Sequence, residues 1–321
     1  MRDILEAYQV WIYFTAVAIA ALTGVVVPGT AHLESWINPA LAVMLFVTFL
    51  QVPVAELGRA FLRARFLVAL LVTNFLVVPL LVWGLIQFLP NDPMIRLGVL
   101  IVLLAPCIDY VVTFAHLGRA DAKLLLASTP ALLITQMALL PVYLGLFLGE
   151  AADGLIHMEP FVHAFVWIIA VPLALAAAVE LLSKRSHAVK RAVEPLGLLP
   201  VPATALVLFI VVAAVVPQLG LALQGALTAV PIYVAFAVLA PIAGWIIASI
   251  AGLDAPAGRA IAFSAGTRNS LVVLPLAFAV PNAMPLLPAI IVAQTMVELV
   301  SELIYMRLIP RLGRSKSALA S

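Results

Sequence analysis

Apolar residues fall in stretches of about 20 separated by short polar breaks, the length a helix needs to cross a hydrocarbon core of roughly 30 Å. The pattern predicts spans at 10–27, 37–54, 66–88, 94–118, 122–148, 159–182, 196–217, 229–251, 256–280 and 284–308. The fold class that follows is an all-α membrane protein with ten transmembrane helices. Composition agrees: 65% of the residues are hydrophobic, 10% are charged and the mean hydropathy is +1.21, whereas a soluble domain is roughly one quarter charged. The lipid bilayer is the expected surrounding.

With ten spans, the Lys and Arg residues sort to one side. That side collects Arg2, Arg59, Arg63, Arg65, Arg119, Lys123, Lys184, Arg185, Lys190, Arg191, Arg259, Arg307, Arg311, Arg314 and Lys316; Arg96 lies opposite, and Arg268 falls inside a span. Short loops rich in these residues stay cytoplasmic, so both termini are expected in the cytoplasm and the chain in the plasma (inner) membrane. The net charge of +2 and the absence of a polybasic tract give no reason to expect a nucleic-acid partner. The first span is expected to be a retained helix rather than a cleaved leader.

Sliding the sequence by 160 to 162 residues places Pro79 and Trp83 on Pro241 and Trp245, the run Gly98 to Cys107 on Gly258 to Thr267, and Tyr143 on Tyr305. Residues 1–150 and 151–321 then read as two repeats of five spans each. An odd number of spans per repeat obliges the second to enter the membrane inverted, the arrangement that supports alternating access in secondary transporters.

The fourth and ninth spans look interrupted. Ala105-Pro106-Cys107 sits mid-span, and Pro106 removes a helix hydrogen bond. Its counterpart, Ser264-Ala265-Gly266-Thr267-Arg268-Asn269-Ser270, is polar and contains the flexible Gly266. Irregular backbone at membrane depth belongs beside a cavity or inside protein, so the two breaks mark the expected substrate site, with half-helix N-termini near Ile108 and Asn269. Asp109 and Arg268 are expected near each other, either as a structural ion pair or as a substrate or proton group. Glu298 is the deeper of two carboxylates one turn apart and has Gln136 as its repeat mate; Glu302 and Glu180 are expected to snorkel to the cytoplasmic ends. Asn74, Ser264, Thr267, Asn269 and Gln294 are candidate hydrogen-bonding groups. The lone Cys107 excludes a Cys-pair metal site; no cofactor or metal is expected. No catalytic set such as HExxH appears, so an enzyme is not expected.

At the two interruptions the sequence resembles the bile acid:sodium symporter superfamily, and within it the arsenite-efflux permease branch, over essentially the full chain. LLAPCIDYVVTF is similar to the permeases' APC motif, which places Cys107 on their cysteine. FSAGTRNSLVV followed by VELVSELIY is similar to FTAASNNFELA followed by VEVPV, without a gap from Phe263 to Glu298. Leu271 replaces a Glu of that motif, Arg268 an Asn, and Asp109 a small residue. The bile-acid branch's FEVGMQNSG matches at Phe263, Gly266, Asn269 and Ser270, but its sodium ligands fall on Ser264, Arg268 and Val111-Val112. The resemblance implies a core and a panel domain, with the crossed helices in the core, and proton-linked export of As(OH)3 or a related metalloid, for which a thiolate is a suitable soft ligand. The alternative is a carrier of small organic or inorganic anions, held by Arg268 and the half-helix ends. The oligomeric state has no signature in the sequence.

Overall fold

The computed structural model describes residues 2–51, 63–108, 110–149, 162–163, 165–218, 220, 222–281 and 283–313. They form α1 (Arg2–Val26), α2 (Glu34–Phe49), α3 (Ala64–Ile86), α4 (Pro93–Leu103), α5 (Val111–Leu117), α6 (Ala122–Leu148), α7 (Val171–Arg185), α8 (His187–Val193), α9 (Pro200–Val215), α10 (Ala222–Ile250), α11 (Ala255–Gly266), α12 (Ser270–Phe278) and α13 (Leu286–Leu308). Six apolar helical stretches among the described residues are long enough to cross a membrane: Tyr8–Val26, Ala64–Ile86, Ala122–Leu148, Pro200–Gln218, Ala222–Ile250 and Leu286–Arg311. The other four predicted spans fall on α2, on the α4/α5 pair, on residues 165–185 and on the α11/α12 pair. Large apolar side chains such as Leu22, Leu80, Trp83, Phe88, Leu146 and Ile250 stand exposed on or beside these helices. In water that surface would drive association; in a bilayer it is the solvated face. The chain is a multi-pass membrane protein.

The described residues group into two compact units, each drawing on both halves of the sequence. One comprises Met1–Val54, Ala151–Leu227 and Leu271–Val292. In it α9 packs against α1 and α2, and α7 against α2. Small residues permit the α1–α9 approach: Ala20 and Ala213 are fully buried, and a Cβ on Gly24 would lie 3.0 Å from Val216 Cβ and 3.2 Å from the Ala213 carbonyl oxygen.

The other unit comprises Ala55–Glu150, Thr228–Ser270 and Ala293–Ser321. Its broken helices begin alike. Asp92 caps α4 by accepting from the N–H groups of Met94 (2.9 Å) and Ile95 (3.1 Å), and Asp254 caps α11 by accepting from Ala257 N–H at 3.3 Å. Each cap is followed by a proline in the first turn, where no intrahelical N–H is needed. In the middle of α3, a π-helical stretch (Thr73–Val77) precedes Pro79. Pro79 has no N–H for the carbonyl of Phe75, and Pro241 has none for that of Ala237. The hydroxyl of Tyr143 donates to Phe75 O and the hydroxyl of Tyr305 to Ala237 O. The same repair thus occurs in both halves of the chain, 162 residues apart.

Basic residues gather at one end of this unit. Arg259 donates to Leu312 O from Nε (3.0 Å) and Nη2 (2.8 Å) and to Arg119 O from Nη1 (3.2 Å), while Arg63 lies 4.0 Å from Asp254. Carbonyls left free by ending helices are thereby satisfied by cations, which also suit the negative dipole end.

Candidate substrate and coupling site

Helix α4 ends at Leu103 and α5 starts at Val111; α11 ends at Gly266 and α12 starts at Ser270. The intervening strands of chain meet as a single antiparallel bridge between Pro106 and Arg268. Cys107 N–H donates to Thr267 O at 3.1 Å, and Asn269 N–H donates to Ala105 O at 2.8 Å. Four backbone groups that two interrupted helices would otherwise leave bare are satisfied by one another. The bridge brings Pro106, Cys107, Thr267, Arg268 and Asn269 into one buried cluster. Asp109 lies outside the described residues.

Arg268 has no exposed surface. Its Nη2 donates to Ser264 O (2.6 Å), Ala265 O (2.8 Å) and Asn74 Oδ1 (2.9 Å), and its Nη1 to Leu103 O (3.3 Å). The guanidinium carbon stands 5.3 Å from the centre of the Phe236 ring, within range of a cation–π contact. Asn74 is itself held by donating to Leu70 O (3.1 Å) and Ser264 Oγ (3.0 Å), which fixes its amide with the oxygen toward the guanidinium.

Glu298 receives the backbone of the same residue: Arg268 N–H donates to its Oε2 at 2.7 Å. Gln294 Nε2 also donates to Oε2, at 2.5 Å, and the Tyr110 hydroxyl donates to Oε1. The Ser270 hydroxyl donates to Gln294 Oε1, extending the chain to the start of α12. The Tyr110 hydroxyl, with one proton, also lies 3.2 Å from Arg268 O, so the two donors that converge on Oε2, Arg268 N–H and Gln294 Nε2, are what makes this the setting of a carboxylate anion.

Glu302 is different. It has no exposed surface, correcting the expectation that it snorkels. Its Oε1 lies 2.5 Å from Thr267 Oγ1, which also lies 2.7 Å from Phe263 O. A threonine hydroxyl has one proton, and a carbonyl can only accept. With that proton given to Phe263 O, the Glu302 contact is completed by a carboxylic acid donating to Thr267. The other carboxyl oxygen, Oε2, has no partner, which suits a neutral acid far better than an anion in a buried place. Gly266 leaves room for the neighbouring Tyr305, which a Cβ would meet at 2.9 Å.

Tyr110 and Phe236 were not singled out by sequence. Tyr110 had a usable signal, lying three residues beyond the Pro106-Cys107 break; Phe236 sits mid-helix among apolar residues and has none.

The model of the sodium bile acid symporter family matches residues 38–219, more than half of the chain. The chain belongs to the sodium bile acid symporter family. It is accordingly a secondary transporter of the bile acid symporter type. The matched segment of this family member contains the Cys107 break, whereas the Arg268 break and Glu298 lie beyond it. No curated protein matches the chain.

Proposed function

We propose that this transporter is a proton-linked efflux carrier for a small neutral metalloid hydroxide of the As(OH)3 class. The observation that carries the reading is the charge arrangement at the crossed breaks. The four hydrogen bonds of the Arg268 guanidinium all go to oxygens of the chain, and the Glu298 carboxylate supplies the compensating negative charge. A site balanced in this way favours a neutral solute over an anion. Cys107, paired through its backbone to Thr267, supplies a soft ligand: its thiol displaces one hydroxyl of As(OH)3 to give an S–As bond, the thiol proton leaving with the hydroxyl as water.

Proton linkage would run through Glu298. A proton arriving there weakens its bonds to Arg268 N–H, Tyr110 and Gln294 together, loosening the bridge between the two breaks; Glu302, already neutral, adds no opposing charge. Ten spans in two inverted repeats, 1–150 and 151–321, would let that loosening expose the site to either side. In this reading both termini are cytoplasmic, in the plasma membrane, and the direction is outward. Asp109 belongs to the same proposed site.

The test is arsenite uptake into inside-out vesicles, with wild type, Cys107→Ala and a collapsed proton gradient compared. Uptake that needs both thiol and gradient supports the proposal. Absence of uptake by folded protein removes arsenite and turns the search to small anions.

A further inference from the structure

We infer that the oxygen cage around the Arg268 guanidinium is a monovalent-cation site that the chain fills permanently with its own side chain. The cage has four members: Leu103 O, Ser264 O, Ala265 O and Asn74 Oδ1, at 2.6 to 3.3 Å from the guanidinium nitrogens. Every one is a neutral carbonyl-type oxygen. Such a shell suits a weakly charged hard cation, whereas a structural arginine ion pair is built on a carboxylate. Among the described residues, Glu298 is bonded to the backbone N–H of Arg268, and the guanidinium's hydrogen bonds go to Leu103, Ser264, Ala265 and Asn74.

The origin of the cage explains its polarity. Leu103 is the last residue of α4, and Ser264 and Ala265 belong to the last turn of α11. Carbonyls of a final turn have no intrahelical donor and carry the negative end of the helix dipole. Two half-helices therefore end on one point, and Asn74, from the π-helical stretch of α3, adds a further oxygen there. The Phe236 ring, 5.3 Å away, presents a π face to the same charge. A cation is required where these groups converge, and one tethered by a side chain can neither dissociate nor exchange. The transporter thus completes its cycle without taking an alkali cation from solution at this position, whatever its solute.

Arg268→Ala should empty the cage without removing any of its oxygens. The experiment measures thermal unfolding of detergent-purified wild type and Arg268→Ala in millimolar sodium, potassium, guanidinium or choline chloride at constant ionic strength. The expected result is a saturable rise of about 3–5 °C for the variant in guanidinium or sodium, none in choline, and no shift for wild type. A variant indifferent to all four salts overturns the inference, as does an equal shift in wild type, which would place the cation elsewhere. If Arg268→Ala does not fold in choline, the readout becomes the yield of monodisperse protein. Recovery of that yield by guanidinium or sodium supports the cage, and equally low yields in every salt refute it.

Discussion

Arg268 and Glu298 are joined through the backbone: the amide N–H of Arg268 donates to Glu298 Oε2 at 2.7 Å, while its guanidinium is bonded to Asn74 and three carbonyls. One residue thus serves two places. Its charge closes the oxygen cage, and its peptide group helps hold the carboxylate that the proposed proton step needs.

The two glutamates of α13 should respond unequally to the same substitution. Glu298→Gln keeps an acceptor for Arg268 N–H and Gln294 and can donate to the Tyr110 oxygen, whose proton has Arg268 O as a second acceptor, but it removes the negative charge beside the buried Arg268; a bond to a charged acceptor contributes about 1.5–3 kcal/mol. Transport should fall at least about tenfold with a clear loss of thermal stability. Glu302→Gln keeps a donor for Thr267 and should unfold within about 0.5 kcal/mol of wild type. Equal losses in the two variants, measured by thermal unfolding and vesicle uptake, would remove the assignment of charge between them.

Much of this region was legible beforehand because membrane helices leave few explanations for a polar residue. A proline in mid-span and seven consecutive polar or small residues at the corresponding place gave Pro106, Cys107, Thr267, Arg268 and Asn269, all now in one cluster. The direction of the Arg268 side chain was not legible. Its cage is made of backbone carbonyls, which have no sequence identity, and of an Asn74 oriented by Ser264 some 190 positions away. Glu302 was misplaced for a related reason: hydropathy located it near a helix end, and only the neighbouring Thr267 accounts for its burial.

Cys107 offers a test that separates solute chemistry from folding. The bridge uses its backbone N–H, which Cys107→Ser and Cys107→Ala both keep, so each should still fold, at the cost of about 1–3 kcal/mol usual for a buried position. Arsenite uptake should nonetheless be lost in both, because neither supplies a soft ligand. Retained uptake in Cys107→Ser would sink the thiol role.

Gly266 is required by a neighbour. A Cβ there would stand 2.9 Å from Tyr305 Cε2 and 3.0 Å from its hydroxyl oxygen, closer than side chains pack without movement. Gly266→Ala should push Tyr305 off the Ala237 carbonyl and destabilise by about 1–3 kcal/mol, as overpacking does. Thermal unfolding of Gly266→Ala at wild-type temperature would show that the ring has room to move.

The paired tyrosines yield the sharpest reversal. Tyr305 donates to Ala237 O because Pro241, four residues on, has no N–H to give; Tyr143 does the same for Phe75 O ahead of Pro79. Tyr305→Phe leaves that half-buried carbonyl bare, at a cost of about 1 kcal/mol. Adding Pro241→Ala to Tyr305→Phe restores a backbone donor to Ala237 O and should recover most of the loss, although Pro241→Ala alone gains little while the tyrosine holds the carbonyl. The corresponding cycle at Tyr143 and Pro79 should give the same sign, and the two tyrosine losses should add, since they share no partner. Unfolding midpoints of the four single variants, the two tyrosine–proline doubles and the Tyr143→Phe/Tyr305→Phe double decide the matter: if the proline replacement rescues neither tyrosine variant, the hydroxyls are held for some reason other than the missing N–H.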